Sequence, residues 1–253
     1  MNRKIIYYNT YNDDVIETKK QDYKIRDNYK WIHDNIFYKI FSKIVFLLGK
    51  VIGLIYCKFY LHVEIENKDI LNDFKDTGYF IYGNHTQTIG DAFIPYIVTK
   101  KRFYTIASQS NLGIPILGKF LPAGGALIIP DKMSQSKEFF KAVKIRAKEK
   151  NAIIIYPEGH VWPYYTKIRP FENTSFKFPA SSNMPSFCMT VTYYKRENKN
   201  KPGIKIYLDG PFFPDEKLKL NDRKNDLHDK IYNKMIERSE NNNCEYIKYE
   251  KID

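Results

Sequence analysis

Gly78-Tyr79-Phe80-Ile81-Tyr82-Gly83-Asn84-His85-Thr86-Gln87-Thr88-Ile89-Gly90-Asp91 opens as a short, uninterrupted apolar run and ends in polar, reactive residues. Such a run reads as a buried strand. Polar side chains directly beyond it stand at the edge of a sheet, where α/β proteins commonly build their sites. The figure returns downstream. Ala152-Ile153-Ile154-Ile155-Tyr156 reads as a second buried strand and leads into Pro157-Glu158-Gly159-His160.

Outward from these two runs, strands and helices alternate. Residues 61–66 alternate as a strand, and 67–75 form a connection or short helix. Residues 91–98 read as a helix and 103–107 as a strand. Residues 113–121 read as a short apolar helix or turn, before a strand at 126–129. Residues 134–150 are an amphipathic helix: Phe139, Val143 and Ala147 recur at four-residue spacing, with Lys137, Lys141, Lys144 and Lys148 on another face. Strands follow at 186–194 and 204–208, then a helix over 222–240. This alternation predicts one α/β domain over residues 61–253. Residues 1–60 precede it as a lead-in, irregular or partly helical to about residue 30, and then an apolar segment.

That apolar segment, residues 36–56, has the length of a membrane span but carries Lys39, Lys43 and Lys50. A span wants about 20 predominantly apolar residues with few charges. At about 100° per residue the three lysines fall within about 40° of one another, a narrow basic stripe on an apolar cylinder. The pattern fits one helix, or two broken near Gly49 or Gly53, lying in the headgroup layer. A helix buried in its own domain and a single span are the alternatives.

With 253 residues and 43% hydrophobic content the chain can bury a sizeable core and is not disordered. Its net charge of +12 suits an anionic partner: nucleic acid, a lipid surface or an acidic cofactor. Between Lys100 and Lys150 there are 11 positive and 3 negative residues, but helical phasing makes several of them a solvated face. With no nucleic-acid motif, no nucleic-acid partner is expected. Cys57, Cys188 and Cys244 are too scattered for a zinc site or a disulfide framework. The N-terminal residues have no secretory pattern, which predicts a location on the cytoplasmic side.

His85 and Asp91 carry the chemistry. A histidine whose far nitrogen is held by a carboxylate removes a proton from a hydroxyl near neutral pH. On one regular helix a six-residue offset turns the two some 240° apart. They meet only if His85 stands in the loop and Asp91 at a helix start, where Gly90 supplies a permissive turn. A helix-capping Asp91 beside an ordinary loop histidine is the alternative.

With these residues in view, the chain resembles the glycerophospholipid acyltransferases of the lysophosphatidic acid acyltransferase (PlsC-like) type. Asn84-His85 with Asp91 resembles the family's N-H-x-x-x-x-D motif, and Tyr156-Pro157-Glu158-Gly159 its F-P-E-G block. Residues 125–132 resemble the second block, residues 170–176 the P-F-K-x-G-x-F segment, and residues 184–189 the last block. Two departures stand out. Five residues, not four, separate His85 from Asp91. His160-Val161-Trp162 replaces Thr-Arg-Ser, and Lys132 or Lys119 must stand in for the second block's arginine.

The resemblance implies a single domain with a central mixed sheet flanked by helices, plus the N-terminal amphipathic membrane-associating helix or helix pair. It implies direct transfer of a fatty acyl group from acyl-CoA or acyl carrier protein to a lysolipid hydroxyl, in phospholipid biosynthesis. The expected acceptor is 1-acylglycerol-3-phosphate. Another lipid acceptor, or a non-catalytic lipid-binding protein of the same fold, is the alternative. His85 and Asp91 would be catalytic, and Asn84, Lys132, Glu158, Gly159 and His160 would bind substrate. Lys167 and Arg169 are further phosphate contacts to consider. Trp162, Tyr164 and Tyr165 would form an aromatic patch at headgroup level, or simply pack. No metal or bound cofactor is implied; the partners are a membrane lipid surface, the thioester donor and the lysolipid, and the attachment is peripheral or monotopic.

Overall fold

The computed structural model of the protein describes residues 4–16 and 23–252. Strand β1 (Lys4–Tyr8) comes first and helix α1 (Ile36–Ile55) follows, continued by a wide turn over Tyr56–Tyr60. The domain proper then runs β2 (Val63–Glu66), β3 (Tyr79–Gly83), α2 (Gly90–Val98), β4 (Phe103–Ala107), α3 (Leu117–Gly124), β5 (Ala126–Ile128) and α4 (Met133–Lys148). It closes with β6 (Ala152–Ile155), α5 (Lys177–Ser182), β7 (Ser186–Tyr194), β8 (Gly203–Phe212), α6 (Leu220–Ser239) and β9 (Ile247–Lys251).

Seven strands form one mixed sheet in the order β2-β8-β7-β3-β6-β4-β5. β7, β3, β6, β4 and β5 run parallel, while β8 returns antiparallel to β7 with β2 beside it. The sheet's centre explains the apolar runs: a strand buried on both faces has no polar side to show. Along β3, Tyr79 and Ile81 pack towards α2 with Ile94 and Val98. Phe80 and Tyr82 pack the other way, towards Phe139 and Val143 of α4 and Leu227, Ile231 and Met235 of α6.

One expectation about the N-terminal residues is corrected. The lead-in is neither irregular nor helical at its start, because β1 pairs in parallel with β9 in a separate two-stranded sheet. Helix α1 is one continuous helix, the first of the two forms expected, with no break at Gly49 or Gly53. Instead α2 closes on these glycines: a Cβ on Gly49 would lie 2.4 Å from the Tyr96 hydroxyl, and one on Gly53 within 3.1–3.3 Å of Tyr96 and Phe93. Small residues here permit close packing of the two helices. The opposite side of α1 is bare, with Ile36, Phe37, Ile40, Ile44, Leu48, Val51 and Ile55 each more than half exposed.

Candidate active site

β3 delivers Asn84 and His85 to the carboxyl end of the sheet, and its neighbour β6 delivers Tyr156, Glu158 and Gly159 to the same end. Asp91 arrives from the first turn of α2. His85 Nδ1 and Asp91 Oδ2 are 2.6 Å apart, so the five intervening residues close into a tight loop. In that loop the Gln87 N–H donates to the same Asp91 oxygen at 2.9 Å, and the Asp91 N–H donates to the Gln87 carbonyl. Gly90 is needed here for space. A Cβ on it would meet Gln87 Cβ at 2.8 Å and the Leu61 side chain at 3.1 Å.

Asp91 is buried, and burial pushes its carboxyl above the usual carboxylate range. The contact with His85 and the loop N–H groups pull the other way. The His85 side chain keeps 23% of its surface exposed, and its Nε2 has no hydrogen-bond partner among the described residues. A neutral imidazole fixed at Nδ1 presents Nε2 as its basic atom.

The backbone of His85 is held as firmly as its ring. Its N–H donates to Glu158 Oε2 at 3.0 Å, and its carbonyl accepts from the Trp162 N–H at 2.9 Å. The Tyr164 N–H donates to the Thr86 carbonyl at 2.9 Å, so the loops after β3 and β6 are stitched side by side. Tyr156 stacks on the imidazole at 4.7 Å and donates its hydroxyl to the Asp91 carbonyl at 2.8 Å. Below, Tyr193 donates to Thr86 and accepts from Gln87 Nε2.

The other candidate residues fall into separate groups. Glu158 is buried beneath His85 and accepts from both the backbone N–H and the guanidinium of Arg169. Arg169 is fully buried; it also donates to the Tyr11 and His160 carbonyls and lies over the Trp162 ring. The expectation that Arg169 contacts a phosphate is therefore corrected: its charge is already spent on Glu158. Asn84 is buried too, donating to the Val191 carbonyl and accepting from its N–H, which ties β3 to β7. Gly159 has φ +80° with open space around it, and His160 is exposed 3.5 Å from Asp14.

Lys132 stands just before α4, four residues past β5, a strand three places and about 14 Å from β3 in the sheet. It pairs with Asp27, both side chains being largely exposed. The aromatic patch expected at Trp162, Tyr164 and Tyr165 is corrected. Trp162 is fully buried, stacked on Tyr249 and packed on Tyr8, and Tyr165 packs against both Trp162 and Tyr249.

Arg169 and Tyr156 were the residues hardest to see in advance. Tyr156 stands beside Pro157-Glu158 with nothing in its spacing to tie it to His85. Arg169 would have emerged from asking which cation neutralises a buried Glu158.

Among solved structures, the fold is similar to that of the 1-acyl-sn-glycerophosphate (LPA) acyltransferase PlsC from Thermotoga maritima. That match has a TM-score of 0.54 and 14% identity, and covers 82% of this chain and 84% of that one. No curated protein sequence matches. The family model described as Acyltransferase matches residues 62–192, from just before β2 into β7. Both strand ends that meet at His85 lie inside that stretch, which is more than half of the 253 residues, and the chain belongs to the acyltransferase family.

Proposed function

We propose that this acyltransferase moves a fatty acyl group from an acyl thioester, carried by CoA or acyl carrier protein, to the hydroxyl of a lysolipid at a membrane surface. The observation that carries the reading is the 2.6 Å contact between His85 Nδ1 and a buried Asp91, with Nε2 left unengaged. In this reading the acceptor hydroxyl lies against Nε2. Its oxygen attacks the thioester carbonyl while the imidazole takes the proton. The C–O bond forms, the C–S bond breaks, and the departing thiolate takes the proton back. Asp91 stabilises the imidazolium in between.

The first acceptor to consider is 1-acylglycerol-3-phosphate. Lys132 supports a phosphate contact because an exposed ion pair with Asp27 is worth at most ~1 kcal/mol and is easily exchanged. The burial of Arg169 against Glu158 takes this arginine away from any phosphate, which favours a second acceptor class in which the phosphate is absent or differently placed.

A panel of lysolipids with acyl-CoA and acyl carrier protein donors, read by mass spectrometry, tests the reading. General-base catalysis contributes roughly 10²- to 10⁴-fold, so His85→Ala should lose at least a hundredfold in turnover while remaining folded. Undiminished transfer by His85→Ala would leave a lipid-binding role in its place.

A further inference from the structure

On the face of the sheet away from α2, a cavity of about 320 Å³ opens between α4 and α5. Its floor is Phe80 at the start of β3, and its walls are Phe140 and Val143 of α4 and Phe178 of α5. Phe80 lies five residues, about 16 Å of extended strand, before His85. The cavity is therefore separate from the candidate active site.

Its chemistry is two-sided. Ser181 and Ser182 also line it, but both hydroxyls donate back to the Phe178 carbonyl of their own helix and leave their methylene groups to the wall. The cavity's remaining strong donors are the ammonium groups of Lys141, Lys144 and Lys177. Lys141 has only a 3.9 Å pairing with Glu138. Lys177 lies 5.4 Å from the Phe140 ring centroid, and neither Lys144 nor Lys177 has a carboxylate partner among the described residues. α5 is only six residues long and gives way to Asn183 in the left-handed conformation. It reaches α4 through Phe178, whose ring lies 5.0 Å from Phe140 and 6.2 Å from Phe139, and the groove borders that contact. The groove is open to solvent and mostly apolar in its lining. It is large enough for a small ligand, at the lower end of the usual ~300–1,000 Å³.

We propose that this groove is a second binding site that takes one anionic single-chain amphiphile. The tail lies on Phe140 and Phe178, with buried Phe80 beneath them, and the carboxylate or phosphate head lies among Lys141, Lys144 and Lys177. The three cations choose the sign of the head, and a volume of about 320 Å³ suits a single chain.

Titration calorimetry of the full chain with dodecanoate and with dodecyl phosphate, below their micellar concentrations, tests the proposal. Dodecyltrimethylammonium and dodecyl maltoside serve as comparators. One-to-one binding of either anion, or of both, at least tenfold tighter than of the comparators is the expected result. That binding should fall at least tenfold in Lys144→Glu/Lys177→Glu, which reverses the charge, and in Ser181→Trp, which fills the slot from an exposed position. It should persist in His85→Ala. Two variants with unrelated effects on folding are used, and their unchanged melting temperatures are checked alongside. Equal binding of cationic and anionic chains, or binding untouched by both groove variants, would overturn the proposal. A doubled mass in light scattering that disappears in Ser181→Trp would also overturn it, since a second copy of the chain would then be the occupant.

Discussion

His85 is gripped through its ring by Asp91, and through its N–H and its carbonyl by Glu158 and Trp162 of the loop after β6. Asp91 and Arg169 bear on stability in opposite senses. Burial raises the Asp91 carboxyl's pKa, so the folded chain holds that proton to higher pH than the unfolded chain does. Ionising Asp91 therefore costs stability, and the cost appears as pH rises through and above the ordinary carboxylate range. Asp91→Asn removes that cost and can still accept from the Gln87 N–H. At pH 7 it should melt no lower than the parent while losing most of its turnover, because a neutral amide cannot stabilise an imidazolium. A fall in both, by calorimetry and by assay, would mean that Asp91 is chiefly structural. Arg169 is the converse case. Arg169→Met strands a buried Glu158 carboxylate and should cost about 3–5 kcal/mol, on the order of 10 °C in melting temperature. Arg169→Met/Glu158→Gln should recover more than half of that loss, which denaturant midpoints would show. The pairing of His85 with Asp91 was half legible in the sequence. Residue types and a nearby helix start pointed to it, but the loop that closes 2.6 Å across five residues depends on Gly90 being small enough to fit against Leu61. The Glu158–Arg169 pair was not legible at all, because nothing local distinguishes a buried arginine from a solvated one.

The elements that local pattern specifies were the legible ones. Continuous apolar runs marked β3 and β6, four-residue spacing marked α4, and β7 and α6 were also placed to within a few residues. β1 and β9 escaped notice because their pairing joins opposite ends of the chain, and a five-residue strand has little pattern of its own. α5 escaped because six residues containing Pro179 make a weak helix signal. The glycines of α1, places where the sequence allowed a break, are contacts. Gly53 faces Tyr96 and Phe93 at the packed centre of the α1–α2 pair, so Gly53→Leu overpacks it. Overpacking costs about 1–3 kcal/mol, and at this chain length each kcal/mol lowers the melting temperature by roughly 2–4 °C. Gly49→Ala meets only the movable end of Tyr96 and should shift the melt by less. Equal shifts in two differential scanning runs would count against close packing as the reason for Gly53.

At the scale of the molecule, the question is how a bare apolar helix sits with a domain that carries a charge of +12. Residues 36–60 would extend about 37 Å, long enough to cross a bilayer. However, α1 is attached to the domain along much of its length. Ser42 donates to the Ala123 carbonyl, Phe46 packs on Tyr96 and Phe103, Gly53 meets α2, and Cys57 is buried in the core. These anchors span about 22 Å of helix. Upright in a bilayer, α1 would drag the domain's polar surface into the hydrocarbon; lying flat, it presents only its bare arc. Lys39, Lys43 and Lys50 border that arc on one side, where they can reach phosphates. Removing everything up to Cys57 is no clean test, since it would also remove buried Trp31, whose indole donates to the Ile128 carbonyl. A second apolar feature lies next to α1, where Phe41 packs on Phe120 of α3. Ile116, just before α3, holds a strained φ of +63° and is 77% exposed, with Leu117 exposed beside it. Leu48→Asp should therefore weaken flotation with anionic vesicles, and Ile116→Asp/Leu117→Asp should weaken it independently, each by several-fold. Neither change touches the core, so melting temperatures should hold. Flotation that survives all three substitutions would remove α1 and the 116–117 turn as the membrane-facing surface.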